Sequence, residues 1–240
     1  MKKFILLACA TLFILSGCKK ENTTDDDPQD QDPDNNPCLL VKTTRANFLD
    51  QLYTYDNQKR LVKYVNGTTE VTFSYSGNVI TIVNKHDGEL FFTKTVTLNE
   101  HGLATTVDAV PALAPPYKET YEYNGSMVTK RYYTSSNGTT TLSRTYEWEN
   151  GNIVKENRSN GDIIYEYDTN KLSHPADFQN FGQFETGYRI FKSKNRIKKI
   201  KQDNGENLYT HFEDSNGNIT NIKVNTPNSE FNIIHHYECD

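Results

Sequence analysis

The chain has 240 residues, with 26 Lys and Arg against 31 Asp and Glu, a formal net charge of −5. That balance argues against a nucleic-acid binder, which gathers a basic excess on one face, and no apolar run reaches the roughly 20 residues of a membrane-spanning helix. There are 15 Tyr, 12 Phe and 1 Trp but only 35% hydrophobic residues in all, so tyrosine must contribute to any core.

Residues 1–18 read as a targeting signal and stand outside the fold. Lys2 and Lys3 supply its positive start, and Phe4 to Leu15 is an apolar run interrupted only by Thr11. It ends in Leu15-Ser16-Gly17-Cys18, which resembles the bacterial lipobox. The resemblance implies cleavage before Cys18 and diacylglycerol on its thiol, an anchor on the membrane instead of a span through it. Lys19 follows, so the aspartate that retains many lipoproteins in the inner membrane is missing, which by the same resemblance favours the outer membrane. Acidic residues soon after Cys18 (Glu21, Asp25, Asp26 and Asp27) resemble the surface-export signal of Bacteroidetes lipoproteins.

Residues 19–38 are expected to form a disordered acidic tether. Asp25 to Asp27, Asp30, Asp32 and Asp34 alternate with Pro28, Pro33 and Pro37, with nothing apolar to bury. The remaining residues 39–240, expected to be a single all-β domain, hold 22 basic against 24 acidic residues. The acidity therefore lies mostly in the tether. Of the four cysteines, Cys9 leaves with the signal and Cys18 takes the lipid. Cys38 and Cys239 remain, and an envelope compartment permits disulfides. A Cys38–Cys239 bridge is the expectation, with two unpaired thiols as the alternative.

From residue 48 onward the chain repeats strand, turn, strand. Thr69, Val71, Phe73 and Tyr75 share one face, as do Tyr117, Tyr121 and Tyr123, then Leu142, Tyr146 and Trp148, then Ile163, Tyr165 and Tyr167. Alternation of this kind in Tyr, Val, Ile and Thr predicts half-buried antiparallel strands. The opposite face carries polar residues, among them Lys192, Lys194, Lys198 and His211. Turn signals such as Asn66-Gly67, Asp87-Gly88, Asn124-Gly125, Asn150-Gly151 and Asn216-Gly217 recur at regular spacing. Asn-Gly suits a type I′ hairpin, in which both central residues take positive φ.

The spacing predicts about 15 to 17 strands in an up-and-down meander, forming a large curled sheet or a barrel-like, water-facing fold. A circular barrel of that size is too wide for side chains alone to fill. Pro111 to Pro116 makes a stiff connection, and His174 to Gly187 a longer loop. Its Phe178, Phe181 and Phe184 are expected to plug an open end of the sheet, with a binding loop as the other reading.

Tyr53-Thr54-Tyr55-Asp56 before Arg60-Leu61, and Tyr165-Glu166-Tyr167-Asp168 before Leu172, resemble the tyrosine–aspartate repeat of bacterial surface proteins. Lys59 stands at the usual glycine position of that repeat. Lipobox, acidic tether and Tyr-rich meander together resemble an uncharacterised group of Bacteroidetes lipoproteins with a porin-like fold. That resemblance implies architecture and no activity.

Chemistry-bearing patterns are sparse. His235 and His236 point to opposite faces of a strand, His235 with Phe231, Ile233 and Tyr237, His236 with Glu238, so metal ligation is disfavoured. Asp214-x-Asn216-x-Asn218 opens like a calcium loop, but Gly217 sits at the fourth position and Asn225 replaces the closing Glu, so a hairpin turn is preferred. His86, His101 and His174 have no placed catalytic partner, no Gly-x-Ser-x-Gly elbow is present, and no cofactor motif occurs. The aromatics Tyr53, Tyr55, Tyr75, Tyr121, Tyr123, Tyr146, Trp148, Tyr165 and Tyr167 are either core or a surface for ligands. The last six are the candidates for facing one.

These features predict a lipid-anchored envelope protein that is no enzyme and binds a glycan, a peptide or a protein. A scaffold or lipid-handling protein with an apolar cavity is the alternative, and a hydrolase a weaker one.

Overall fold

The computed structural model describes residues 38–46, 48–174, 176–177 and 186–239. The signal segment, Cys18, the tether up to residue 37 and Phe178, Phe181 and Phe184 lie outside the described residues. The described chain is all β, without a helix. It opens with β1 (Cys38–Arg45), β2 (Gln51–Tyr55), β3 (Leu61–Asn66) and β4 (Thr69–Ser76). Next come β5 (Val79–His86), β6 (Glu89–Leu98), β7 (Ala104–Pro111) and β8 (Tyr117–Asn124). They are followed by β9 (Met127–Thr134), β10 (Thr140–Glu149), β11 (Asn152–Arg158) and β12 (Ile163–Leu172). The last four are β13 (Asn195–Gln202), β14 (Gly205–Glu213), β15 (Ile219–Asn225) and β16 (Glu230–Cys239).

Each strand pairs antiparallel with the next, and β1 pairs with β16, so the 16 strands close into a barrel without an edge. Closure satisfies the ladder groups that an open sheet would leave exposed. Cys38 stands opposite Cys239 in the β1–β16 register, and the two form a disulfide across the seam, 201 residues apart in sequence. The turns that follow even-numbered strands gather at this disulfide rim. Those that follow odd-numbered strands gather at the opposite rim.

Turn chemistry is of more than one kind. Asp87-Gly88 and Asn150-Gly151 both have two positive φ values, the type I′ pattern. Gly67, Gly77 and Gly125 instead have positive φ alone at the first central position, the type II′ pattern, so the Asn before Gly67 and Gly125 belongs to the strand. A third kind recurs at Asp56, Asn99 and Asp214. There the side-chain oxygen accepts from the backbone N–H groups two and four residues on. In these loops the positive φ falls on Lys59, Gly102 and Gly217. Asp214, Asn216 and Asn218 thus form a hairpin turn.

The aromatic alternation has a physical purpose at the disulfide rim. The Tyr55 hydroxyl donates to the Leu40 carbonyl at 2.7 Å, Tyr75 to Leu61 at 2.7 Å, Tyr123 to Ala104 at 2.7 Å and Tyr167 to Ile153 at 2.8 Å. Tyr237 donates to Ile219 at 2.9 Å, and the Trp148 indole N–H to the Val128 carbonyl at 2.7 Å. Each bond ties the end of an even-numbered strand to the start of the preceding odd one. It clamps the hairpin at the end away from its tight turn.

The interior is filled by apolar side chains in two clusters. The larger includes Tyr53, Phe73, Ile82, Val96, Val107, Tyr121, Val128, Tyr146 and Ile153. The smaller is built from Ile197, Tyr209, Ile219, Ile222, Val224 and Ile233. A wide barrel needs additional filling, and the β12–β13 connection provides some of it. Ala176 and Phe191 are buried in the larger cluster, Ala104 donates its N–H to the Arg189 carbonyl at 2.8 Å, and Tyr123 donates to Ile190 at 3.1 Å. Gly187, at φ 76°, lies against the Phe73 ring where a Cβ has no room.

The outer wall is laced with ion pairs between neighbouring strands: Lys63–Glu70 at 2.6 Å, Lys130–Glu122 at 3.0 Å, Lys199–Glu166 at 2.8 Å and Lys223–Glu230 at 2.9 Å. A hydrocarbon-facing band would have to bury such charges at about 2–4 kcal/mol for each basic residue near its middle.

Two facing assignments from the alternation need correction. Leu142 points outward and is 54% exposed, because a bulge between Leu142 and Arg144 reverses the parity that Tyr146 and Trp148 keep. His211 points inward: it lies two residues beyond the buried Tyr209 on β14, and burial holds its pKa down to about 4.

Candidate functional site on the inner wall

Toward the opposite rim the inner face of β6 to β12 is not apolar. In the antiparallel register Arg131 on β9 stands opposite Arg144 on β10, and Arg144 stands opposite Arg158 on β11. Like charges directly opposed in a ladder destabilise it unless something intervenes. Two carboxylates do so. The Arg131 guanidinium bonds Glu119 on β8, and Arg144 bonds Glu156 on β11. Arg158 donates from its Nε to Glu156 at 2.6 Å.

Every oxygen of the two carboxylates accepts a hydrogen bond. The second oxygen of Glu119 accepts from the Tyr121 hydroxyl at 2.5 Å, and that of Glu156 from Tyr165 at 3.0 Å. Their side chains are only 9% and 5% exposed, whereas the side chains of Arg131, Arg144 and Arg158 remain 20–29% exposed. The acids are therefore sealed into the wall and orient the arginines, whose side chains stay partly open to solvent. A guanidinium has five N–H donors in a rigid fork, far more than these carboxylates occupy.

Lys94 on β6 joins the group, its Nζ 4.7 Å from the Phe92 ring and within electrostatic reach of Glu119 and Arg131. Burial pulls its ammonium below the usual lysine range. Among the described residues, then, four cationic groups share two carboxylates on this wall. Tyr146 sits in the middle of them. It is 7% exposed, pairs in register with Glu156, and its hydroxyl is buried without a hydrogen-bond partner. Burial, then the Glu156 charge, raises its pKa to about 12, against the opposing pull of Arg144, Arg131 and Arg158. The Nε of Arg131 is likewise buried and unpartnered.

The row ends at a cavity on the opposite rim of about 290 Å³. Arg158, Asn160, Asp162, Gln202, Asp203 and Asn204 line it. It is rich in hydrogen-bonding groups of both kinds.

The aromatics singled out by alternation divide three ways. Tyr123, Trp148 and Tyr167 spend their polar atoms on backbone carbonyls. Tyr121 and Tyr165 hold the two carboxylates. Only Tyr146 of these six keeps an unpartnered hydroxyl. Tyr53 is buried and stacks on Tyr64 with ring centroids 5.6 Å apart. The arginines escape a reading that follows aromatic residues alone. The signal was present, since Glu119 shares the parity of Tyr121 and Tyr123, and Arg144 that of Tyr146 and Trp148.

A second polar group lies at the disulfide rim. His235 is 3% exposed, and its Nδ1 lies 3.0 Å from the Thr43 hydroxyl. His174, His211 and His235 are each depressed to about 4, chiefly by burial and further by nearby positive groups. Arg196, buried beside them, pairs with Glu213 at 2.6 Å. His236, the neighbour of His235, is exposed on the outer face, and His86 at the end of β5 and His101 in a turn are exposed as well. Among the described residues no cluster of His, Cys, Asp and Glu has the arrangement of a metal site.

No protein-family model matches the sequence, and no curated protein is similar to it. Solved structures are similar in fold. The chain resembles a porin-like protein from Bacteroides uniformis with a TM-score of 0.61 at 14% identity, over 84% of this chain and 95% of that one. It also resembles a porin-like protein from Bacteroides vulgatus with a TM-score of 0.54 at 15% identity, over 83% and 99%. The porin-like β-barrel fold is thereby shown.

Proposed function

We propose that this chain is a lipid-anchored protein of the bacterial outer membrane whose barrel stands in water and binds a ligand at the arginine row of its inner wall. The anchor reading rests on the lipobox ending in Cys18, and the porin-like fold is in keeping with an envelope setting. The charged outer wall supports a barrel tethered beside a membrane over one embedded in it.

The observation that carries the binding reading is the placement of charge. An apolar interior would be cheaper for stability alone, since burying ion pairs is often neutral or costly against well-packed apolar residues. This barrel nevertheless buries Glu119 and Glu156 to hold partly exposed arginines on its inner side. The reading is of a binder of glycan, peptide or protein, without catalysis, cofactor or nucleic acid. A lipid-handling chamber has weaker support, because the inner apolar residues pack against one another in two clusters.

Two measurements test this. Metabolic labelling with an alkyne fatty acid should tag the wild-type chain and not Cys18→Ala; equal labelling removes the anchor. A panel of glycans and peptides titrated against the purified chain should include a ligand that saturates, and a panel that leaves it unchanged removes the binding module.

A further inference from the structure

We infer that the arginine row takes a sugar acid: a ligand carboxylate lies across the guanidiniums of Arg131, Arg144 and Arg158, and the sugar hydroxyls enter the adjoining rim cavity. The inference rests on the binding-module reading and narrows its ligand class.

Three independent features point the same way. The first is charge. Lys94, Arg131, Arg144 and Arg158 gather around Glu119 and Glu156, and each of these carboxylate oxygens already accepts a bond. Uncompensated cations in a partly desolvated wall favour an incoming anion, and a planar guanidinium fork matches a carboxylate.

The second is that two of the eight buried unpartnered polar atoms among the described residues, the Tyr146 hydroxyl and the Arg131 Nε, lie together beside the row. Buried polar groups are nearly always satisfied, so an orphaned pair beside the row marks a place where a ligand oxygen belongs.

The third is the cavity that begins at Arg158. Asn160, Gln202 and Asn204 offer amides, Asp203 offers a carboxylate, and Asp162 a second one that Lys155 engages at 2.8 Å, all suited to hydroxyl groups. The carboxylates that line it disfavour a ligand that is anionic throughout, such as a polyphosphate. They fit one that is acidic at one end and hydroxylated at the other.

The test is calorimetric titration of the full detergent-solubilised chain with D-glucuronate, D-galacturonate and, as the neutral counterpart, D-glucose. The uronates should saturate, bind more weakly as salt rises, and bind at least about tenfold more tightly than glucose, the loss expected for one charge-assisted hydrogen bond. Arg144→Gln should weaken uronate binding by about tenfold or more. Should that variant fail to fold, Tyr146→Phe serves, since it removes only an unpartnered hydroxyl. It should weaken uronate binding while leaving thermal stability equal or higher, which a purely structural role would not produce.

Equal affinity for glucuronate and glucose overturns the inference, as does uronate binding that survives Tyr146→Phe and Arg144→Gln unchanged. If a neutral glycan or a peptide saturates while the uronates do not, the sugar-acid inference falls and the binding module stands. If nothing binds, both fall.

Discussion

Arg131 and Arg144 stand directly opposite each other on the inner wall, a cross-strand pair of like charges. Such a pair destabilises a ladder in isolation. Here Glu119 lies on one side of it and Glu156 on the other, and the two carboxylates offset the repulsion.

Glu156 carries the heavier share, because Arg144 and Arg158 both bond its first oxygen. Glu156→Gln should destabilise the barrel by about 3–5 kcal/mol, the cost of leaving buried charge without its partner. Urea denaturation reads this directly. A loss below about 1 kcal/mol would show that the arginines relax into water without their carboxylate.

Two tyrosine-to-phenylalanine changes should act with opposite sign. The Tyr123 hydroxyl donates to Ala104 and Ile190, so Tyr123→Phe should cost about 1 kcal/mol and loosen the β12–β13 connection. The Tyr146 hydroxyl is buried without a partner, so Tyr146→Phe should leave stability unchanged or raise it by about 1 kcal/mol. Thermal melts of the two variants beside the wild type make the comparison.

Acid should weaken the fold through the disulfide-rim histidines. His174, His211 and His235 titrate at about 4 in the folded barrel, against about 6.5 in an unfolded chain. Above pH 6.5 neither state binds the proton and stability is full. As the pH falls from 6.5 toward 4 the unfolded chain takes up protons that the folded one refuses, and stability drops; below 4 both states are protonated and this loss levels off. One such histidine accounts for about 3 kcal/mol, and Arg196 beside His174 and His211 opposes protonation further. Denaturation midpoints measured from pH 7 to pH 4 should fall over that window, and His211→Asn should flatten part of the slope.

The Cys38–Cys239 disulfide closes nearly the whole described chain into a loop, 201 residues apart. Replacing both by serine should lower stability by about 2–5 kcal/mol, mainly by freeing the unfolded chain. The β1–β16 ladder remains, so circular dichroism of the variant should still report a β protein. A variant as stable as the parent would show that the seam is held by its strand pairing alone.

The polypeptide by itself determined the meander. A two-residue period and closely spaced reversals are local properties, set by side-chain alternation and turn geometry. They are legible in Thr69 to Tyr75 or Ile163 to Tyr167 without knowledge of the rest. Locality also explains what was misread. One bulged residue beside Leu142 turns it outward, and a bulge is a feature of two strands meeting, invisible in either alone. Closure of β1 onto β16, the filling of the lumen by Phe191 and the row Arg131–Arg144–Arg158 were decided only in three dimensions. Each joins residues brought together by register across strands, and a charge looks solvated in sequence until its neighbours on the same wall are known.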